Sequence, residues 1–327
     1  MRSRIETVAG RCLVFADPAR CDHFGVARVG GATYRPDRVE TTSRTETSVA
    51  DWIETYRGVV NAWECDIVEH FTVAYYFDRL ADASRNLLDA IGLDVVPGHE
   101  LVRRRLHVTF QKELRAGASF HIDSALIGVE DGLLRVGHRL SQSSNGEVST
   151  WGYETIAAGG PLVQSLRQRL EAAVSAYPGP EVPEASPAQA GGMLATRDRV
   201  KQWEADETGT LSLPGHVHRF SSSMMQALVR IGMDDTYMQA NRRGFSTFEL
   251  DFNCSARARI GEPLDIHASI LNLGKSSLRF LHVMTGRGGR PIATMRQSGV
   301  HLDLDARKST ALPDELRAAA EGLVMRK

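Results

Sequence analysis

Along the chain, apolar residues recur first with the period of a helix and then with the period of a strand, and they do so twice. Ala74, Phe77, Leu80, Ala81, Ser84, Leu87, Leu88 and Ile91 follow at spacings of three and four. That is one face of a helix of about five turns, expected over Thr72 to Ile91 and closed by Gly92 in a left-handed cap. A thinner copy of the face, Phe220, Met224, Ala227, Leu228 and Ile231, predicts a second helix over Arg219 to Ile231 with Gly232 as its stop. After each helix the period changes to two, with turn signals at Glu130-Asp131-Gly132, Asn145-Gly146, Gly274-Lys275 and Gly288-Gly289. Each half therefore reads as one helix followed by about four antiparallel strands. A half-exposed sheet with one apolar helix buries both best by wrapping the sheet around the helix.

The two halves are in register. Arg57, Val60, Trp63, Glu64 and Asp66 recur at one constant offset as Arg197, Val200, Trp203, Glu204 and Asp206, and at that same offset residues 88–94 lie over 228–234 without a gap. Two windows at one offset argue for an internal duplication. We divide the chain into an N-terminal extension, 1–54, with a strand expected at Arg11 to Phe15; a first repeat, 55–176; a linker, 177–196; and a second repeat, 197–327. The linker contains the Pro-, Ala- and Gly-rich stretch from Tyr177 to Met193. A helix from Leu162 to Tyr177 leads into it. Trp63 and Trp203 are expected in the core as residues of the first strand of each repeat.

Composition removes several classes of function. With 39 basic and 40 acidic residues the formal net charge is -1, so there is no electrostatic footprint for nucleic acid or an anionic membrane. Residues that are 42% hydrophobic and 24% charged suit a soluble globule. The amino terminus lacks an apolar run of signal-peptide length, and nowhere does one approach the roughly 20 residues of a membrane helix. A cytoplasmic location follows as the expectation. Cys12, Cys21, Cys65 and Cys254 match no zinc-ligand spacing, and reduced, mostly buried thiols are expected.

The stretch "CDIVEHFTVAYYFDRLADASRNLLDAIGLD" resembles the D-x-x-G-H-x-N-x-x-x-Y stretch of acyl-CoA thioesterases of the 4-hydroxybenzoyl-CoA thioesterase type. "HVTFQKELRAGASFHI" and "GRPIATMRQSGVHLDLDARKSTALPDELR" resemble further strands of that family, in two tandem copies over roughly residues 55 to 160 and 197 to 320. The resemblance implies an α+β fold, a tandem hotdog in which a long central helix in each half is wrapped by antiparallel sheet. It implies hydrolysis of an acyl thioester carried by coenzyme A or an acyl-carrier protein. The pantetheine arm then belongs to the substrate, and no metal or separate cofactor is needed.

By the same resemblance Asp66 and His70 are the candidate catalytic residues, and Glu69, Thr72 and Tyr75 the candidate substrate-binding residues. Asp66, just upstream of a helix start, can act as general base or nucleophile, and the unpaired amides at that start can polarise the thioester carbonyl. His70 can orient the carbonyl oxygen or the water. An aspartate before a helix also serves as a plain N-terminal cap. The sequence departs from the family pattern at Glu69, where a glycine is usual, and at Thr72, where an asparagine is usual. In the second copy Thr210 replaces His70 and Gly215 replaces Tyr75. We therefore expect the first repeat to carry the live site and the second to complete its pocket, with His216 and His218 near the second helix start. The Asp305-Ala306-Arg307-Lys308 cluster reads as a solvated tail and Glu113 as an exposed strand charge. Alternatives are a hotdog enoyl-thioester hydratase or dehydratase, and a non-catalytic acyl-thioester binding module. Both a monomer and a homodimer are compatible with a fused pair.

Overall fold

Both apolar stripes are buried as helices on one shared antiparallel sheet, in a computed structural model that describes residues 52–66, 68–93, 102–130, 132–157, 164–184 and 191–325. The first repeat runs β1 (Ile53–Val59), a 3-10 turn (Ala62–Glu64), α1 (Val73–Ala90), β2 (Val102–Phe110), β3 (Ser119–Glu130), β4 (Leu133–Gln142) and β5 (Val148–Ala157). A short helix α2 (Gln164–Ala172) follows. The second repeat runs β6 (Met193–Arg199), a 3-10 turn (Gln202–Glu204), α3 (Leu213–Arg230), α4 (Asp235–Asn241), β7 (Arg243–Cys254), β8 (Pro263–Leu273), β9 (Ser277–Thr285) and β10 (Pro291–Asp303). It ends with β11 (Lys308–Ser309) and α5 (Asp314–Glu321).

The sheet order is β1, β3, β4, β5, β2, β7, β10, β9, β8, β6, with β11 on β10. Read outward from the middle, the two halves follow one order. β2 and β7 pair antiparallel at the seam, Arg105 opposite Asn253 and Thr109 opposite Glu249. Behind the seam α1 and α3 pack side by side, and Phe77 and Leu80 share one core with Val217, Phe220, Leu106 and Phe252. This is the expected α+β tandem hotdog, with one continuous sheet and a pseudo-twofold axis between the repeats.

The repeated Trp-Glu-x-Asp has a different explanation from the one its tryptophans suggested. Trp63 and Trp203 lie on the 3-10 turns and are 76% and 81% exposed, so they are not core residues. The buried members are Glu64 and Glu204. Each closes its turn by accepting a backbone N–H, from Asn61 at 2.8 Å and from Lys201 at 2.9 Å. Each also pairs with an arginine of the following helix, Glu64 with Arg79 and Glu204 with Arg219, and those arginines are related by the same offset as the glutamates. A buried carboxylate needs such a partner, which explains why the glutamate recurs.

Other boundaries also moved. α3 begins at Leu213 rather than Arg219, because Pro214 is tolerated in a first helical turn and Gly215 and the histidines dilute the apolar face there. α2 is shorter than the predicted 162–177. Tyr177 is no free tether: it packs edge-on against Trp151 and Tyr153, and the carbonyl of Pro183 accepts from Arg105 at 2.6 Å. Cys65 and Cys254 are free thiols and only half-buried. The strand predicted at Arg11 to Phe15, Cys12 and Cys21 lie outside the described residues.

Candidate active site at the first helix start

A bridge between Cys65 and Phe71 pinches the loop that carries Asp66. The Asp66 amide donates to the His70 carbonyl at 2.8 Å, and Asp66 Oδ1 accepts from the amides of Val68 at 2.9 Å and His70 at 3.1 Å. Asp206 holds the second loop with the same bonds, its Oδ1 accepting from Thr208 at 3.0 Å and Thr210 at 3.1 Å. Both aspartates thus brace a turn, whatever else they do. The turn needs one residue with positive φ. In the second repeat that residue is Gly209 at +73°, while in the first it is Glu69 at +64°, an exposed side chain off the cavity wall. A non-glycine residue there costs on the order of 1 kcal/mol.

The carboxylates differ in how fully they are occupied. Asp206 also accepts from the hydroxyl of Thr208 at 2.6 Å and from that of Thr210 at 3.2 Å on Oδ2. Burial raises its pKa, but these hydrogen bonds outweigh burial and hold it below the usual carboxylate range. Asp66 has no threonine at the matching positions, where Val68 and His70 stand, and its side chain is exposed. The helix starts differ in the same sense. Ser212 caps α3 by accepting from the Gly215 amide at 3.2 Å, whereas the side chain of Thr72, at the N-cap of α1, makes no capping bond. The positive end of α1 is left for another acceptor.

In front of Asp66 opens a cavity of about 490 Å³ lined by both repeats. The first repeat supplies Asp66, His70, Thr72 and Tyr76; the second supplies Met224, Met225, Met238, Phe245 and Phe248. Tyr75 lies off this wall, stacked on Phe71 and edge-on to His218 at 5.6 Å between the helices. Its neighbour Tyr76 faces the cavity instead.

His70 is held from two sides. Its Nε2 lies 3.0 Å from Glu113 Oε2 and 2.5 Å from Arg307 Nη2, and Arg307 also pairs with Glu113. Protonated, that nitrogen donates to Glu113; unprotonated, it accepts from Arg307. Burial pushes the His70 pKa down, opposed by Glu113 and Asp66 and reinforced by Arg307 and Arg115, so the ring is neutral near pH 7. Arg307 is not part of a solvated tail, nor is Glu113 a bare strand charge. Arg307 sits at φ +51° in the turn between β10 and β11, and that backbone carries it across to the first repeat. Glu113 lies three residues past the end of β2. Only the identity of the partner group could have marked either residue, and the two partners stand in different repeats, far apart in the sequence.

Among the described residues no cluster of three or more His, Cys, Asp or Glu is placed to hold a metal ion, and no helix is long and apolar enough to cross a membrane.

A profile of the thioesterase-like superfamily matches residues 60–159 and 200–320, one segment in each repeat. The L-carnitine dehydrogenase/betainyl-CoA thioesterase of Agrobacterium fabrum is 32% identical over 94 residues, which cover 28% of this chain and 19% of that protein. The chain thus aligns with about a fifth of that relative's length. Among solved structures, an acyl-ACP thioesterase from Bacteroides thetaiotaomicron superposes with a TM-score of 0.61 at 9% identity, covering 75% of this chain and 96% of its own. The 12:0-ACP thioesterase of Umbellularia californica superposes with a TM-score of 0.59 at 10% identity, over 75% and 93% of the two chains. At these identities the two structures speak for the fold.

Proposed function

Because the chain belongs to the thioesterase-like superfamily, we propose that it hydrolyses an acyl thioester in the cavity of the first repeat, with Asp66 as the reacting carboxylate. One observation carries this reading. Asp66, His70 and the uncapped start of α1 converge on a cavity whose far wall is apolar. The acyl group lies along Met224, Met225 and Met238, where burying hydrocarbon contributes about 25 cal/mol per Å². The thioester carbonyl points to the first amides of α1, which stabilise the negative charge that develops on its oxygen.

Asp66 takes a proton from water as the water oxygen attacks the carbonyl carbon. Direct attack by the carboxylate through an acyl anhydride, later opened by water, uses the same position. In either route the tetrahedral oxyanion collapses, the carbon–sulfur bond breaks, and the thiolate leaves and is protonated from solvent. Neutral His70, fixed by Glu113 and Arg307, orients the water or the carbonyl without adding a second charge beside the forming oxyanion. The thiol belongs to coenzyme A or to the phosphopantetheine of an acyl-carrier protein, and the reaction needs no further cofactor. The name of the Agrobacterium relative supports coenzyme A as the carrier. Thiol release from a panel of acyl-CoAs tests the proposal. Turnover that follows acyl size is the expected result; binding of every member without thiol release would overturn it.

A further inference from the structure

The pseudo-twofold axis places a second cavity, of about 300 Å³, at the start of α3, and the hydrolytic reading leaves it unused. Its residues map onto those of the first. Gln111 and Lys112 donate to the Ser149 carbonyl, and Ser255 and Ala256 donate in the same way to the Ile292 carbonyl. Likewise Phe71 donates to Leu114 and Leu211 to Ala258. Lys112 and Leu114 thus correspond to Ala256 and Ala258, which puts Arg257 where the first cavity has Glu113. A carboxylate at one mouth is replaced by a guanidinium at the other.

The cationic character continues outside. Arg290 donates to the Arg257 carbonyl at 3.0 Å and to Glu262 Oε1 at 2.7 Å, and with Arg287 it lines a surface hollow. The backbone of Arg259 pairs with that of Thr210, in the loop of Asp206. The interior is half apolar, from Leu88, Leu213 and Phe252, and contains His216. The His216 ring is buried, its Nδ1 bonds the Ser212 carbonyl at 2.8 Å, and its Nε2 has no partner among the described residues. A buried imidazole acceptor without a donor calls for one. Meanwhile the hydrolytic apparatus is closed: Thr210 stands for His70, both Asp206 oxygens are occupied, and Ser212 caps the helix.

We propose that this second cavity binds coenzyme A without hydrolysing its thioesters, the pantetheine arm entering beside His216 and the phosphates resting on Arg257, Arg287 and Arg290. The inference rests on the reading of the chain as an enzyme of acyl-CoA thioesters. An amide N–H of the pantetheine arm supplies the donor that His216 Nε2 lacks, and arginine forks match phosphate oxygens. The site then holds the carrier, distinct from the cavity where the acyl group is cut.

Calorimetric titration of Asp66→Asn with free coenzyme A tests this directly. The expected stoichiometry is two molecules per chain, falling to one in the same protein carrying Arg257→Glu and Arg287→Glu. Excess inorganic pyrophosphate should displace the molecule that the arginine changes remove. One molecule per chain in Asp66→Asn itself would overturn the proposal without any further variant. So would two in the arginine variant, provided it still melts cooperatively. Thiol release by the wild type, measured separately, decides the hydrolytic reading. Release with a single coenzyme A per chain leaves that reading standing and removes this one.

Discussion

Asp66 and Asp206 brace the same turn with the same backbone bonds, yet the walls they face come from opposite repeats, and there the two cavities part. Facing Asp66 are Met224, Met225 and Gln297 of the second repeat. Facing Asp206 are their counterparts in the first, Ser84, Arg85 and Glu154; the helix pairs share the offset of the aspartates, and the strand pair follows from the sheet register. Glu154 is fully buried. Burial alone would raise its pKa, but Arg103, His138 and Ser84 outweigh that and pull it down to about 2. Its counterpart Gln297 carries no charge and donates to the Thr247 hydroxyl at 2.8 Å. An acyl chain entering beside Glu154 would have to displace the partners of a buried carboxylate, which is costly; beside Met224 it meets mostly hydrocarbon and sulfur and no charge from the second repeat. Each repeat thus sets what the other repeat's loop can bind, and duplication on one chain allowed the two walls to diverge.

The largest effect should come from the carboxylate. Asp66→Asn keeps an oxygen for the amides of Val68 and His70, so folding should be retained while turnover falls about a hundredfold or more. Melting temperature and kcat measured on one preparation check both halves of that statement.

The next test uses acid. His216 replaces Tyr76 at the matching helix position, and burial depresses its pKa to about 4. The unfolded ring binds a proton near pH 6.5 and the folded ring does not until about pH 4. Its stabilising contribution is therefore complete above pH 6.5 and is lost as the pH falls through that window. By pH 5 the loss is roughly 2 kcal/mol. His216→Gln should lower stability at pH 7 and flatten the decline between pH 7 and 5, read from urea midpoints. An unchanged slope would contradict the burial of a neutral ring.

Met225→Arg gives the first cavity the charged wall of the second. A KM for a medium-chain acyl-CoA raised about tenfold, with the smallest acyl groups least affected, is expected from placing a cation against buried hydrocarbon. Smallest of all, Glu69→Gly relieves the positive φ that Gly209 meets without strain. It should stabilise the fold by about 1 kcal/mol in denaturant titrations.

Much of this was legible in the chain because it rests on local periodicity. The apolar face of α1, the alternation of the strands, the hairpin turns at Gly132 and Gly146 and the constant offset between the repeats all follow from spacing. What was missed depends on partners far apart in sequence. Glu64 and Glu204 recur beside their tryptophans, but nothing in the spacing ties them to Arg79 and Arg219, with which they pair in the fold. Arg307 read as tail because its role depends on a turn with positive φ that aims it at His70, in the other repeat. The start of α3 was hidden by Pro214 and Gly215, whose propensities tertiary packing overrides. α4 escaped because so short a helix displays no period; its cap, Asp234 accepting from Tyr237 at 2.8 Å, was the available signal. Gly, Asn and Tyr of the resembled motif mapped onto Glu69, Thr72 and Tyr75, but a motif matched by position does not say which side chains face the cavity, and Tyr76 does so in place of Tyr75.

Whether one of two matching loops hydrolyses and the other does not is decided by the turnover of Asp206→Asn measured beside that of Asp66→Asn on one acyl-CoA. The Asp206 variant should stay within about threefold of the wild type, while the Asp66 variant should lose about a hundredfold. Equal losses in the two variants, or a loss confined to Asp206, would contradict it.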